Sequence, residues 1–340
     1  MLTTWLSGLG TKLADNWVSK TLSPALLFWI AGVAAILLAP GGDQRERDLE
    51  QAFNGAAPTL QVAALVAGLA LVTLSEQFSK ALSLAVTRAL EGYWPRLASP
   101  IRRLLVYVAA SRYRKARDRW NHLNKQMEEH GVASLSADER AKYTALELQL
   151  HRAPTDDALR MPTRFGNVMR AAEARIAGWY GLDPVLCWPS FWLVLPDGAK
   201  TEIADARTAL DARIGAWFWA VAYCLWTPVL YAISPSPSGL WLFAPLVIGT
   251  MLAFVAYYGW LVPAAETYAG LLEAVFGLYR SKLYEAYSDE AGKIKQMPGV
   301  VGEQDIGASL TLLIWRGLPS PKLAEPGGNK AGADVGQRPD

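Results

Sequence analysis

Residues 214–265 read IGAWFWAVAYCLWTPVLYAISPSPSGLWLFAPLVIGTMLAFVAYYGWLVPAA, 52 consecutive positions without an Asp, Glu, Lys or Arg. About 20 apolar residues carry a helix across the ~30 Å hydrocarbon layer, so the run is too long for one crossing. Ser234-Pro235-Ser236-Pro237-Ser238-Gly239 interrupts it near the middle with turn-forming residues that a helix does not retain. The run therefore predicts a transmembrane hairpin, Ile214 to about Ile233 and back from about Leu240 to Pro263. A six-residue connection leaves little room for a domain on that side, so recognition or chemistry belongs on the other side or within the bilayer.

Working outward, two more uncharged runs precede it. Thr21–Gly42 is 22 residues rich in Leu, Ile, Val and Ala, with Pro24 placed where the first turn of a helix tolerates it. Gln51–Ser75 is 25 residues, and between the two lies a short acidic segment, Asp43–Glu50. A cleaved signal peptide is disfavoured, because the leading region is long and Leu38-Ala39-Pro40 is a poor cleavage site. The expected fold is an all-α integral membrane protein with four transmembrane helices in two hairpins and cytoplasmic helical extensions. The segments are 1–20, an amphipathic helix for a headgroup layer or for packing on the chain itself; 21–93, the first hairpin and a stalk to Trp94-Pro95; 94–213, a cytoplasmic helical domain; 214–290, the second hairpin and stalk; and 291–340, a tail disordered from about 319. Each hairpin leaves the bilayer at a Glu, Glu76 and Glu266, followed two positions later by an aromatic, Phe78 and Tyr268. This is either an internal duplication or the charge that any helix acquires on leaving a membrane.

Charge sets the orientation. Between Arg96 and Arg119 stand eight cations (Arg96, Arg102, Arg103, Arg112, Arg114, Lys115, Arg117, Arg119) against Asp118 alone, whereas the two hairpin loops are acidic or uncharged. Positive segments stay in the cytoplasm, which puts both termini and the 94–213 segment inside. Tyr107, Tyr113 and Trp120 lie among these cations, but the cluster follows a membrane helix directly. Anionic lipid headgroups are the nearer partner, with Arg102, Arg103, Arg112, Arg114, Lys115 and Arg117 in contact, and no nucleic acid is expected. Within 94–213, a helix from Leu97 to about Glu129 is followed by a second to about His151, started by a Ser136/Glu139 capping box and offering Leu146, Leu148 and Leu150 for packing. Asp197 is placed to cap a later helix that runs into the third crossing. After Tyr287 the chain reads as loop, apart from one docking turn at Leu310–Trp315.

The stretch best suited to function is 162–196. Arg164, Asn167, Arg170 and Glu173 recur every three residues after a capping Thr163, as a polar column with an Arg170/Glu173 pair, and Tyr180 and Asp183 extend a network that either ties this cytoplasmic helix onto the membrane stalks, the favoured reading, or binds a ligand. Gly166 marks a close backbone approach. Val185–Leu195, with Trp188, Phe191 and Trp192, is apolar, too short to span, and suited to the inner membrane surface. PTRFGNVMRAAE (162–173) followed by YGLDPVLCWP (180–189) resembles the signature of a largely uncharacterised family of bacterial multi-pass inner-membrane proteins. The resemblance implies the bacterial inner membrane and brings no activity with it. Ser190 departs from the pattern, which implies a basic residue there.

Cys187 and Cys224 lie in apolar runs without a CxxC partner, and His122, His130 and His151 have no metal-ligand spacing. Phosphate-loop and dinucleotide motifs are absent, so no catalytic residue, metal or cofactor is implied. The expected function is that of a non-enzymatic homo-oligomer, a channel or membrane-disrupting pore controlled by its cytoplasmic helices. The alternative is a membrane anchor or scaffold that recruits a cytoplasmic protein partner without conduction.

Overall fold

The computed structural model describes residues 23–131, 134–233, 239–295 and 302–317. The proposed N-terminal amphipathic helix, the 234–238 turn and the tail from 319 lie outside these residues. All regular elements among the described residues are helical, apart from turns. In chain order they are α1 (Pro24–Leu38), α2 (Gly42–Gly55), α3 (Pro58–Glu91), α4 (Ser99–His130), α5 (Ala137–His151), α6 (Arg164–Tyr180), α7 (Pro184–Val194), α8 (Asp197–Tyr223), α9 (Trp226–Ile233), α10 (Ala244–Val255), α11 (Val262–Ala286), α12 (Ser288–Lys295) and α13 (Glu303–Arg316). Among the described residues, three helical stretches are long and apolar enough to cross a membrane: Pro58–His130, Asp197–Ile233 and Leu240–Ala286. The pair α1 and α2 meets that standard only jointly and is bent by 116°.

Two compact units divide the chain. One comprises Met1–Val106, Pro162–Gly166 and Asp205–Thr267. Here the first hairpin differs from its sequence reading. Asp43–Glu50 is not a loop but lies within α2, and the next apolar helix begins at Pro58 rather than Gln51. Ala56 and Ala57 are extended, and Pro58, with φ already fixed for a helix, starts α3. Arg45 of α2 holds the turn by donating to the Ile36 and Ile233 carbonyl oxygens, at 3.3 and 2.9 Å. An aromatic cluster binds α1 to α8 and α9. The Phe28 ring lies 5.0 Å from Trp219 and 5.5 Å from Trp226, and the Trp226 indole occupies the space a Cβ on Gly32 would need. The Trp29 indole donates to Ser75 on α3 at 3.1 Å.

The two later apolar stretches carry breaks that hydropathy does not register. Asp197–Ile233 turns at Cys224–Leu225 between α8 and α9, three to four residues before Pro228. Leu240–Ala286 opens as a 3-10 turn at Leu240–Phe243 and widens into a π-helical segment, Ala256–Leu261, before α11. Asp197 opens α8 as its first residue rather than capping it from outside.

The second unit comprises Tyr107–Met161, Asn167–Ala204 and Tyr268–Asp340. Its core joins Ile176, Leu182, Cys187, Phe191, Leu195, Ile203, Phe276, Leu283, Ile294 and Leu310. One sequence reading is refined and one corrected here. Val185–Leu195 turns one face into the core, with Cys187, Phe191 and Leu195 recurring every four residues and Phe191 stacked on Phe276 at 4.3 Å, while Val185 and Leu193 stay exposed. Among the described residues after Tyr287, the expected loop is replaced by α12 and α13, whose Ile294 and Leu310 are fully buried. Both helices start with acids in the first turn, favourable to the helix dipole. Glu139 and Ser136 form the capping box of α5, and Leu146 and Leu150 are half-buried, but Leu148 is exposed because it falls on the far side of that pair.

Candidate functional site

The 162–196 motif serves different partners at its two ends. In the first unit, Pro162–Gly166 is fastened to the end of α3 and to the π-helical segment Ala256–Leu261. The Thr163 hydroxyl donates to the Leu90 carbonyl oxygen at 2.5 Å and accepts the Gly166 N–H at 2.9 Å. The Phe165 N–H donates to the Tyr257 hydroxyl, within the π-helical segment, at 3.1 Å. Gly166 lies against Glu91, where a Cβ would stand 2.0 Å from the carbonyl oxygen. Gly92, at φ +99°, ends α3 beneath the Pro162 ring. Arg164 Nη2 stands 4.0 Å from Glu266 Oε1, a loose ion pair. Glu76, its supposed counterpart, pairs instead with Lys80 one turn along α3, at 3.7 Å.

The polar column does not occupy one face. Each three-residue step falls about 60° short of a full turn, so Arg164 and Glu173 end on opposite sides of α6. Asn167 is buried and closes a two-way bond with Met161, accepting its N–H at 3.0 Å and donating to its carbonyl at 2.7 Å. Arg170 and Glu173 pair at 2.8 Å with both side chains partly exposed. Tyr180 lies under the Arg280 guanidinium, 4.4 Å from its centroid, and Arg280 is held by Glu303. Asp183 accepts the Val185 and Leu186 N–H groups at 2.9 and 3.0 Å, capping α7. Gly181, at φ +69°, lets Gln304 approach the turn between them. Ser190 contacts the Tyr287 hydroxyl at 3.2 Å, so a neutral side chain suits that place.

A charged cluster in the second unit escaped the sequence. Arg175 donates through Nε and Nη2 to Glu273 Oε1, at 3.1 and 2.5 Å, and through Nη1 to the His151 carbonyl at 2.6 Å. The His151 ring approaches Glu273 Oε2 at 3.8 Å. Burial and the neighbouring Arg175 charge hold the His151 pKa below its usual value, against the opposing pull of Glu273. The only sequence signal was Glu273 itself, a lone acid in the apolar pattern of the stalk, since its partner is 98 residues away. Arg175 and His151 also line a cavity of about 500 Å³ with Tyr113, Arg117, Trp120 and Glu147. Beside it, buried Arg160 stacks on the Tyr113 ring at 3.8 Å and is held by Asp157 at 2.8 Å.

For chemistry, burial pushes the Cys187 thiol pKa up, and its contact is the Thr311 hydroxyl at 3.4 Å. Such a thiol is a packing group rather than a nucleophile. No group of three or more His, Cys, Asp or Glu with metal-binding geometry occurs among the described residues. Arg102, Arg103, Arg112, Arg114, Lys115 and Arg117 are all exposed along α4. Compared with models of known families, with curated proteins and with solved structures, the chain matches none.

Proposed function

We propose that the chain is a bacterial inner-membrane protein that crosses four times in two hairpins, with both termini cytoplasmic. It works without catalysis as a homo-oligomer, forming a channel or membrane-disrupting pore under the control of its cytoplasmic helices. The observation that carries the control is the fastening of Pro162–Gly166. This short segment, outside the apolar runs, grips the end of α3 through Leu90 and the fourth crossing through Tyr257. A shift of α6 would pull on both together. Oligomerisation is supported by the apolar window of the Pro58–His130 stretch, of which 0% is buried, against 17% and 22% in the other two. Such a surface needs lipid or further copies around it, and so few helices do not enclose a path alone.

A second reading, an anchor or scaffold that recruits a cytoplasmic protein, is favoured by the absence of any Asp, Glu, Lys or Arg between Ile214 and Ala265. Conducting paths through membranes are usually marked by intramembrane ionisable groups. Liposomes loaded with a potassium-sensitive dye separate the two readings. Flux from reconstituted wild type that changes in Thr163→Val and Tyr257→Phe supports controlled conduction. A tight membrane with correctly inserted protein refutes it and leaves the scaffold.

A further inference from the structure

Helix α4 carries a stripe with an abrupt change of character. Leu97, just before its first turn, then Ile101, Leu104, Val108, Arg112, Lys115 and Arg119 follow in steps of three or four, so they share one face. Leu97 is 95% exposed, Ile101 58% and Leu104 61%; Val108 is half-buried, and the three cations are exposed. The inward face of the helix is a different one, marked by buried Ala110, Tyr113 and Ala116. Arg103, Arg114 and Arg117 form a second exposed row on roughly the opposite side from the stripe.

We propose that the Leu97–Arg119 face lies obliquely in the bilayer surface, Leu97, Ile101 and Leu104 in the acyl boundary and Arg112, Lys115 and Arg119 on anionic phospholipid headgroups. The proposal rests on the membrane reading above; it keeps Arg112 and Lys115 of the cations assigned to lipid, sets the other four aside and adds Arg119. Order along the stripe identifies the occupant. A membrane is an apolar layer bordered by an anionic one, and the stripe passes from apolar to basic in that sense. A second copy of α4 fits worse: parallel pairing sets cation on cation, and antiparallel pairing sets Arg on Leu. An acidic protein surface would leave the three apolar side chains uncovered. Position agrees as well, since Leu97 comes six residues after the end of α3, itself part of a stretch apolar enough to span. Tyr107, exposed at the edge of the stripe, is a residue type favoured at that depth.

The test uses the full chain in lipid nanodiscs with or without anionic phospholipid, carrying single nitroxide labels at positions 65, 101, 103, 104 and 115. Cys187 and Cys224 are replaced by Ala, or retained unlabelled if that lowers melting. Labels at 101 and 104 should collide with oxygen rather than a water-soluble nickel complex, 115 should report headgroup depth, and 103 should be open to nickel. Arg112→Gln with Lys115→Gln and Arg119→Gln should raise nickel collisions at 104 several-fold, only in anionic discs. Arg103→Gln with Arg114→Gln and Arg117→Gln, the same charge change, should not. If 65 lies in lipid while 101 and 104 are as open to nickel as 103, this proposal fails alone. Equal effects of the two triple variants overturn the choice of face. A water-exposed 65 would overturn the membrane reading itself.

Discussion

Gly166→Ala is the most direct probe of how α6 is fastened. The added Cβ would stand 2.0 Å from the Glu91 carbonyl oxygen, 2.8 Å from its carbon and 2.9 Å from Thr163 Oγ1. The main obstacle is backbone at the end of α3, which does not swing aside as a long side chain does. Reaching even a 3.0 Å contact requires the two segments to part by 1.0 Å, the difference between 3.0 and 2.0. That separation also stretches the Thr163–Leu90 hydrogen bond. Overpacking of this kind costs about 1–3 kcal/mol, and a strained bond adds a fraction of the ~1 kcal/mol such a bond contributes. Opposing it is the ~1 kcal/mol that Ala gains over Gly inside a helix. The net expectation is a loss, in the region of about 1–2 kcal/mol. Gly178→Ala is the control: on the same helix, with nothing within 4 Å of its Cβ, it should be neutral or stabilising. Thermal unfolding of the purified chain in detergent, followed by circular dichroism, reads both. A Gly166→Ala protein that melts at or above wild type would refute the close approach.

Further tests address charge and topology. Glu273→Gln leaves Arg175 without its main counter-charge in a mostly buried place, and should cost on the order of 3 kcal/mol; Glu173→Gln, in a partly exposed pair, should cost under about 1 kcal/mol. Similar melting losses from the two would contradict the burial assigned to each. Because the folded His151 pKa is depressed below the usual 6.5, the unfolded chain takes up the proton first, so this contribution is full above that pH and lost as pH falls below it. Melting should therefore decline between about pH 7 and pH 5, less steeply in His151→Gln; an equal decline in both would place the titration elsewhere. Reporter fusions after Gln51 and at Ser236 should face outward, and those after Gly131 and at Asp340 inward, any exchange overturning the charge argument.

What the sequence made legible was what repeats locally. Apolar runs, the Ser136/Glu139 box and the helix from Leu97 to about Glu129 all arise from neighbours within a turn or two. The shape of the first hairpin was hidden because a charged segment between apolar runs reads equally as loop or helix, and Arg45's reach to the Ile233 carbonyl spans 188 residues. The buried face of Val185–Leu195 was hidden because a Trp-rich apolar helix has the same composition on a bilayer surface as against Phe276. Within the motif, the residue types were visible and their partners were not. Asn167 answers to the backbone of Met161, and Thr163 to that of Leu90, contacts that no residue identity encodes. Arg175 was passed over because an arginine on a helix is ordinarily solvated, and only the fold brings Glu273 beneath it.

The π-helical segment holds one residue more than regular turns would. Along the Leu240–Ala286 stretch a buried row passes through Pro245, Gly249, Ala256, Leu261 and Ala265, separated by four, seven, five and four residues. Four and seven keep time with a 3.6-residue turn, whereas five overshoots it and is absorbed where Ala256–Leu261 widens. Removing one residue there would let the helix close into regular turns with a spacing of four, so α10 and α11 would keep their faces. Gly259 has open space around it, so Gly259→Ala should pass unnoticed, and deletion of Gly259 should leave Gly249 against Cys224 while closing the wide turn that carries Tyr257. In this turn the count of residues sets the width of the helix and not its phase.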